Sequence, residues 1–372
     1  MSRLNVGNLY NENEDGAPVV SGISTFSSPN YFVPPSGSTA QRPSNPGEGM
    51  IRFNTDSGHL EYYTGTHWAD VIVNNQDLGD QNNSNSSGGT GTRGLFGGGD
   101  TSEDTIDYVT ISTLGDAQDF GDLTVARGHT AGMSSRTRGL WGAGNPNTTT
   151  IDYVTISSTG DALDFGDTTE ARRAVAGASN QTRGLMAGGF ASSASDVIDY
   201  ITIAQTGNAV DFGNLSTVRY SVAGLSSPVR ACFGGGANPN VNTIDYVTIA
   251  TTGNVQDFGD RITSQVSSAA CSSSTRGIWG GGYSPGSTNI MDFITIATTG
   301  NSTDFGDLTM ARGRLGATSS PIRGIWGGGD QPAQVNNIDF VTIASTGNAV
   351  DFGDRTVAVN RTTGVSNGHG GL

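Results

Sequence analysis

Arg138-Gly139-Leu140-Trp141-Gly142, followed by Thr150-Ile151-Asp152-Tyr153-Val154-Thr155-Ile156 and then by Asp164-Phe165-Gly166-Asp167, is a phrase that the chain states six times. With Asp107, Asp152, Asp199, Asp245, Asp292 and Asp339 as a common register, the Asp of the following Asp-Phe-Gly lies 12 residues on in every copy. From that Asp to the next Arg (Arg138, Arg183, Arg230, Arg276 or Arg323) is always 19 residues. Only the distance from Arg to the register Asp changes, from 14 to 15 or 16, so every insertion falls in one connection. A spacing that is invariant everywhere else marks a scaffold.

The period is 45 to 47 residues, in the range of propeller blades. Within one copy the turn residues divide four strands: a over 128–133, b over 139–142, c over 151–156 and d over 164–172. Thr159-Gly160-Asp161, repeated as Thr206-Gly207-Asn208 and Thr299-Gly300-Asn301, supplies residues that tolerate positive φ between c and d. Strand c carries apolar residues on both faces, Ile151 and Tyr153 on one and Val154 and Ile156 on the other, as a sheet packed between neighbours requires. The glycines of strand b suit close backbone packing near an axis.

The first copy begins at strand b, at Arg93, with no strand a before it, and the chain ends on 359–366, which matches a strand a with no b after it. The two ends therefore complete one shared repeat. The expected fold is all-β: a six-bladed β-propeller over 92–372, closed by the C-terminal strand so that its open edges disappear. Arg closing strand d and a Gly pair after strand b make the order similar to kelch repeats. The Tyr and Trp that kelch repeats place six residues apart are replaced here by Tyr108 and Phe120, a departure from that pattern.

Composition agrees with a turn-rich β protein: 56 glycines among 372 residues, with Val, Ile, Phe and Tyr recurring throughout. Lysine is absent and the net charge is -15, which leaves no phosphate-binding footprint and argues against a nucleic-acid partner. Cys232 and Cys271 stand apart from each other and from any His cluster, and read as small core residues. No apolar run of about 18 residues and no signal-peptide pattern occurs, so no membrane insertion is expected and the protein is soluble when made.

Ahead of the repeats, residues 1–45 read as an extended attachment arm, rich in Asn, Ser, Pro and Gly with apolar islands at Val19-Val20 and Tyr31-Phe32-Val33. Residues 46–73 read as a small three-stranded β-meander, and 74–91 as a polar linker. Three such strands are marginal alone, so the module needs the propeller, its own copies or a partner to pack on, and a homo-oligomer is compatible with it. Ala40-Gln41-Arg42-Pro43-Ser44-Asn45-Pro46-Gly47-Glu48-Gly49-Met50-Ile51-Arg52-Phe53-Asn54-Thr55-Asp56, continuing to Leu60-Glu61-Tyr62-Tyr63-Thr64-Gly65-Thr66-His67-Trp68, resembles a module of virion proteins of tailed bacteriophages, cyanophages especially. The resemblance covers residues 35 to 73 and implies a tail-fibre or other appendage protein. In that setting residues 1–73 contact other virion proteins and the localisation is the virion.

Because the strands alternate in direction, the b–c and d–a connections share one face, and all the variable loops fall on it. Those loops contain Asp100, Asn145, Asn238, Tyr283 and Asp330. With the linker entering at strand b, the arm meets the other face and the variable face points away, as suits a surface presented to a host glycan or protein. Arg127, Arg172, Arg219 and Arg312 close strand d on the variable face, with Gln265 and Val359 in the other two copies. Two roles are open to these arginines: ringing a channel mouth to bind an anionic sugar, or pairing with the framework Asp of strand c. Trp141, Trp279 and Trp326 belong to strand b and read as core.

No catalytic constellation stands out. The repeats contain two Glu, Glu103 and Glu170, and two His, His129 and His369. A sixfold Asp-Phe-Gly in a chain without lysine is not a kinase magnesium loop. Neither enzyme activity, cofactor nor metal is expected, although a polysaccharide depolymerase using loop Asp residues, or a virion decoration or connector protein, also fits these residues.

Overall fold

The computed structural model describes residues 34–57, 59–70, 92–100 and 103–372. Most of the expected arm, the whole linker 74–91, the end of the meander and Thr101-Ser102 lie outside the described residues, and with them the expected geometry of linker entry. The chain divides into two units, Met1–Asp80 and Gln81–Leu372, each taken here by itself. The described residues are all-β, without an α-helix.

In the first unit Ile51–Asn54, His59–Tyr63 and Trp68–Asp70 form the expected antiparallel meander. Residues assigned to the arm extend it: Ser36–Gly37 pairs in parallel with Phe53 and Asn54. Their inclusion has a physical cause. Glu61 is fully buried and receives the guanidinium of Arg42, from the arm side, and that of Arg52, with Asn54 as a third donor. A buried carboxylate stays charged only when paired and hydrogen-bonded, and the bond from Arg42 holds its carboxyl below the usual range. The polar side of the strand therefore faces inward, and Ile51, Phe53 and Tyr62 are exposed together with Met50.

The second unit contains six four-stranded antiparallel sheets, each ordered a-b-c-d across the sheet. In the second copy these are Ala131–Ser134, Arg138–Gly142, Thr148–Thr155 and Leu163–Arg172. The first sheet joins the two ends of the repeat region, Thr363–Ser366 pairing with Arg93–Gly97 in the register Thr363 to Gly97 and Ser366 to Gly94. Strand a starts later than the spacing suggests, and strand d ends at the Asp-Phe-Gly-Asp phrase in most copies, as at Gln118–Asp122, reaching Arg172 only in the second.

Residues repeated in every copy connect one sheet to the next. Ser134, Ser179, Ser226, Ser272, Ser319 and Ser366 each donate Oγ to the carbonyl of the equivalent serine in the preceding sheet at 2.6 to 3.0 Å, Ser134 donating to Ser366. The Arg that opens strand b lies over the strand-c aromatic of its own sheet, Arg138 4.7 Å from the Tyr153 ring centroid, and donates to the carbonyl that follows strand c of the next sheet, Ile203 at 2.9 Å. Arg323 does the same to Ile111, from the sixth sheet to the first. The Tyr108 and Phe120 that replace the kelch pair meet edge to face at 6.0 Å, and five equivalent pairs repeat the contact at 5.8 to 6.0 Å.

The Gly of Asp-Phe-Gly is required twice over. Gly121 has φ +145, and a Cβ there would lie 2.5 Å from the Gly160 carbonyl carbon of the next sheet. That approach lets the Gly160 amide donate to Phe120 O at 2.7 Å. The glycines of strand b differ from expectation: strands a, not b, are the ones in serial contact from sheet to sheet, and Gly97 and Gly234 instead make room for Trp141 and Trp279 of the following sheet.

Candidate functional site

The arginines expected at a channel mouth are inside the protein. Arg127, Arg172, Arg219 and Arg312 are at most 1% exposed and pair with Asp152, Asp199, Asp245 and Asp339 of the next sheet at 2.7 to 3.0 Å. Burial pulls Arg172, Arg219 and Arg312 below the ordinary guanidinium value, opposed by the paired carboxylates. A guanidinium stays charged under such conditions, and of the two roles open to these arginines the pairing with framework carboxylates is the one seen in the structure. In the two copies with Gln265 and Val359 the pair persists. Arg261 reaches Asp292 at 2.6 Å and Arg355 reaches Asp107 at 2.9 Å, each from four positions upstream of the others. That exchange is visible when Leu123, Thr168, Leu215, Arg261, Leu308 and Arg355 are aligned.

Trp141, Trp279 and Trp326 are fully buried, and their indole N–H groups donate to carbonyls of the preceding sheet at 3.1 to 3.2 Å. Cys232 and Cys271 are buried free thiols, and burial pushes the Cys232 thiol up to about 12.

On the loop face, the b–c loops bridge to the d–a connections: Asn145 to Gly128, Ala237 to Tyr220, Tyr283 to Val266 and Asp330 to Gly313. Next to these bridges lies one residue per copy with positive φ, between 54 and 61° (His129, Ala174, Ser221, Ser267, Arg314 and Arg361). Each donates its amide to the carbonyl of the one before, from Ala174 to His129 through to His129 on Arg361, at 2.6 to 3.1 Å. A conformation repeated six times, at a cost of about 1–2 kcal/mol each for non-glycine residues, belongs to the architecture.

These residues rim one end of a cavity of about 150 Å³ that strands a enclose. At the other end His369 Nε2 lies 3.1 Å from the Ser134 carbonyl and 3.2 Å from Ser179 Oγ, against the serine ring.

The rim is lopsided. Arg314, Arg361 and His129 occupy one half, and Ala174, Ser221 and Ser267 the other. Asp330, only 7% exposed, accepts from Arg314 Nη1 and from Asn360 Nδ2, each at 2.9 Å, and from the Tyr283 hydroxyl, whose ring lies 5.2 Å beneath the Arg314 guanidinium. Burial, then the bond to Asp330, pushes the Tyr283 hydroxyl up to about 12. Asp100 accepts from Arg361 Nη1 at 2.6 Å. Of the loop residues singled out from sequence, the structure thus brings Tyr283 and Asp330 together, while Asp100 pairs with Arg361, the chain neighbour of the Asn360 that reaches Asp330. Asn145 takes its place by backbone bonds to Gly128, and Asn238 is exposed at φ 72 on its own loop.

His129 reports the field at this rim: burial, then the charges of Arg361, Arg314 and Arg173, hold its imidazole down to about 3, with Asp100 opposing. Sequence reading passed over Arg314, Arg361 and Asn360 because it followed positions that the copies share. Aligning the copies at the positive-φ position would have set the two arginines apart.

Among the described residues no group of three His, Cys, Asp or Glu side chains is placed to hold a metal ion. No protein-family model and no curated protein sequence matches this chain.

Proposed function

We propose that the six sheets are the blades of a six-bladed, kelch-like β-propeller, and that the chain is a non-enzymatic, tail-fibre-like appendage protein of a tailed-phage virion. Residues 1–73 attach it to other virion proteins, and its loop face meets the host surface. The series of serine, arginine and Gly–Phe bonds that runs from each sheet to the next and returns to the first supports the propeller. Attachment through residues 1–73 rests on the resemblance of Ala40 to Trp68, and an apolar face of Ile51, Phe53 and Tyr62 open to a partner supports it.

The observation that carries the binding role is a division of labour. The residues shared by all copies are consumed inside and between sheets, whereas charged and aromatic groups that differ between copies lie on the loop face, with Arg314, Arg361, Tyr283 and Asp330 at one half of the cavity rim and Arg173, Phe190 and Tyr220 beside the other. Chemistry would need a nucleophile, a base or a separated pair of free carboxylates, and the rim carboxylate Asp330 is instead tied to three donors.

Labelled full-length protein incubated with cells of the phage's host should bind saturably and be displaced by unlabelled protein, and antibody against the chain should decorate the tail or its fibres in electron micrographs of particles. Labelling confined to the capsid, or hydrolysis of host polysaccharide by the pure protein, would overturn this reading.

A further inference from the structure

We propose that the rim of the central cavity binds the carboxylate of a single acidic sugar residue, such as a hexuronate, through the guanidinium groups of Arg314 and Arg361. The inference rests on the host-surface reading above and names the chemistry that surface would offer.

Charge selects a monoanion. In a chain of net charge -15, the rim sets Arg314 and Arg361 beside the carboxylates Asp330 and Asp100, and a third guanidinium, Arg173, bonded to Asn147 outside the rim, is close enough to act on His129, which stays neutral. The two rim pairs cancel, and Arg173 leaves the neighbourhood with one positive charge. One carboxylate neutralises it, whereas a phosphate dianion would meet the two aspartates with a net charge of like sign.

Donors remain for such a ligand. Each guanidinium gives its Nη1 to an aspartate, and a guanidinium has five N–H donors in a planar fork that matches a carboxylate. Arg361 Nε is buried with no hydrogen-bond partner. The aspartates fix the forks in place while the side chains stay partly open, 37% for Arg314 and 27% for Arg361.

Size and wall chemistry select a sugar. The cavity of about 150 Å³ is below the range of about 300–1,000 Å³ usual for drug-sized ligands, and His369 stands at its far end, so one ring can enter and a chain cannot thread through. Its wall is built from strands a, apolar at Val175, Val222, Leu225 and Leu315 and otherwise largely Gly, Ala, Ser and Thr. Two of these, Thr130 and Thr318, are 4% exposed and have hydroxyls with no partner. They belong to the second and sixth sheets, which also supply His129 and Arg314. An orphaned buried hydroxyl is costly, and Thr130, beside His129 at the rim, is the one a polyhydroxylated ligand there would satisfy.

The test titrates full-length protein with methyl glucuronide, methyl glucoside and glucose 6-phosphate, read by calorimetry or saturation-transfer NMR. Saturable 1:1 binding of the glucuronide is expected, with the glucoside at least about tenfold weaker, because it lacks the charge-assisted bonds. Arg314→Gln and Arg361→Gln should each weaken the glucuronide about tenfold or more. Arg314→Gln, at a partly exposed pair, keeps the wild-type melting temperature and decides the matter should Arg361→Gln fail to fold. Equal binding of glucoside and glucuronide, tighter binding of the phosphate, no saturation, or unchanged affinity in Arg314→Gln would each overturn the proposal. Host-cell binding separates it from the broader reading: cell binding that survives Arg314→Gln sinks the acidic-sugar site and leaves the appendage role standing.

Discussion

Arg355 Nε lies 2.9 Å from Asp107 Oδ2 across 248 residues of sequence, and both side chains are fully buried. It is the last of six pairs that each link the end of one sheet to strand c of the next. Asp107 also accepts from the Thr356 hydroxyl. Removing one partner of such a pair strands the other charge in a low-dielectric interior, at a cost of about 3–5 kcal/mol. Arg355→Met should therefore lower unfolding free energy by that order in urea titration, while Arg314→Gln, at a partly exposed pair, should cost under about 1 kcal/mol. Equal effects would mean that the buried pairs do not hold neighbouring sheets.

The pair at Asp292 is entered from Arg261, with Gln265 where the other copies have Arg219 or Arg312. Leu215 and Leu308 occupy the position of Arg261, so the two side chains have in effect exchanged places. Arg261→Leu should cost about 3–5 kcal/mol, and adding Gln265→Arg should recover at least about half of it, because the guanidinium then approaches along the route the other copies use. Gln265→Arg alone should destabilise, by placing two cations around one carboxylate. Failure of the double variant to exceed Arg261→Leu in thermal melts would show that Ser268 and Ser302, which bond to Arg261 and Asp292, have committed this copy to its own geometry.

How much of this was legible follows from the same residues. Strand order, sheet count and the joining of 363–366 to 93–97 could be read because invariant spacing survives only where backbone pairing enforces it. The fate of Arg127 or Arg219 could not, since an Arg at a strand end is exposed or buried according to a carboxylate on a different sheet. Arg314 and Arg361 stand where the other copies have Ala, Ser or His, and a reading built on agreement between copies discards such positions. In the first unit, alternation over Ile51–Asn54 shows two faces but not which is inward. The buried Glu61, with its need for Arg52 and Asn54, decides it.

Glycines of the repeats should separate into classes. At Gly121 an added Cβ meets both a positive φ of +145 and backbone at 2.5 Å, so Gly121→Ala forces the second sheet away and should cost about 2–4 kcal/mol. Gly160 has φ +148 but open space, and its alanine variant should cost about 1 kcal/mol from backbone strain alone. Gly286, with open space and no positive φ, serves as the control and should be neutral or slightly stabilising. A melting series in which Gly160→Ala equals Gly121→Ala would show that the contact between sheets adds nothing to the strain.

Acid should act on the two histidines at the ends of the cavity. Burial holds His369 down to about 4 from an ordinary 6.5, although the Ser134 carbonyl favours its charged form, and holds His129 down to about 3. A depressed imidazole leaves the folded state with fewer protons than the unfolded chain below pH 6.5. Stability from these groups is thus fully present above pH 6.5 and falls as pH drops through that value toward 4 and 3. His369→Gln should flatten the decline in unfolding free energy between pH 6.5 and 4 by an amount on the order of 2 kcal/mol, since one pKa unit is worth about 1.4 kcal/mol and the residue is only half-buried. For His129 part of the depression comes from arginine charge, so its NMR-detected titration should move upward in Arg361→Gln. An unchanged His129 midpoint in that variant would mean that the rim carries no positive field.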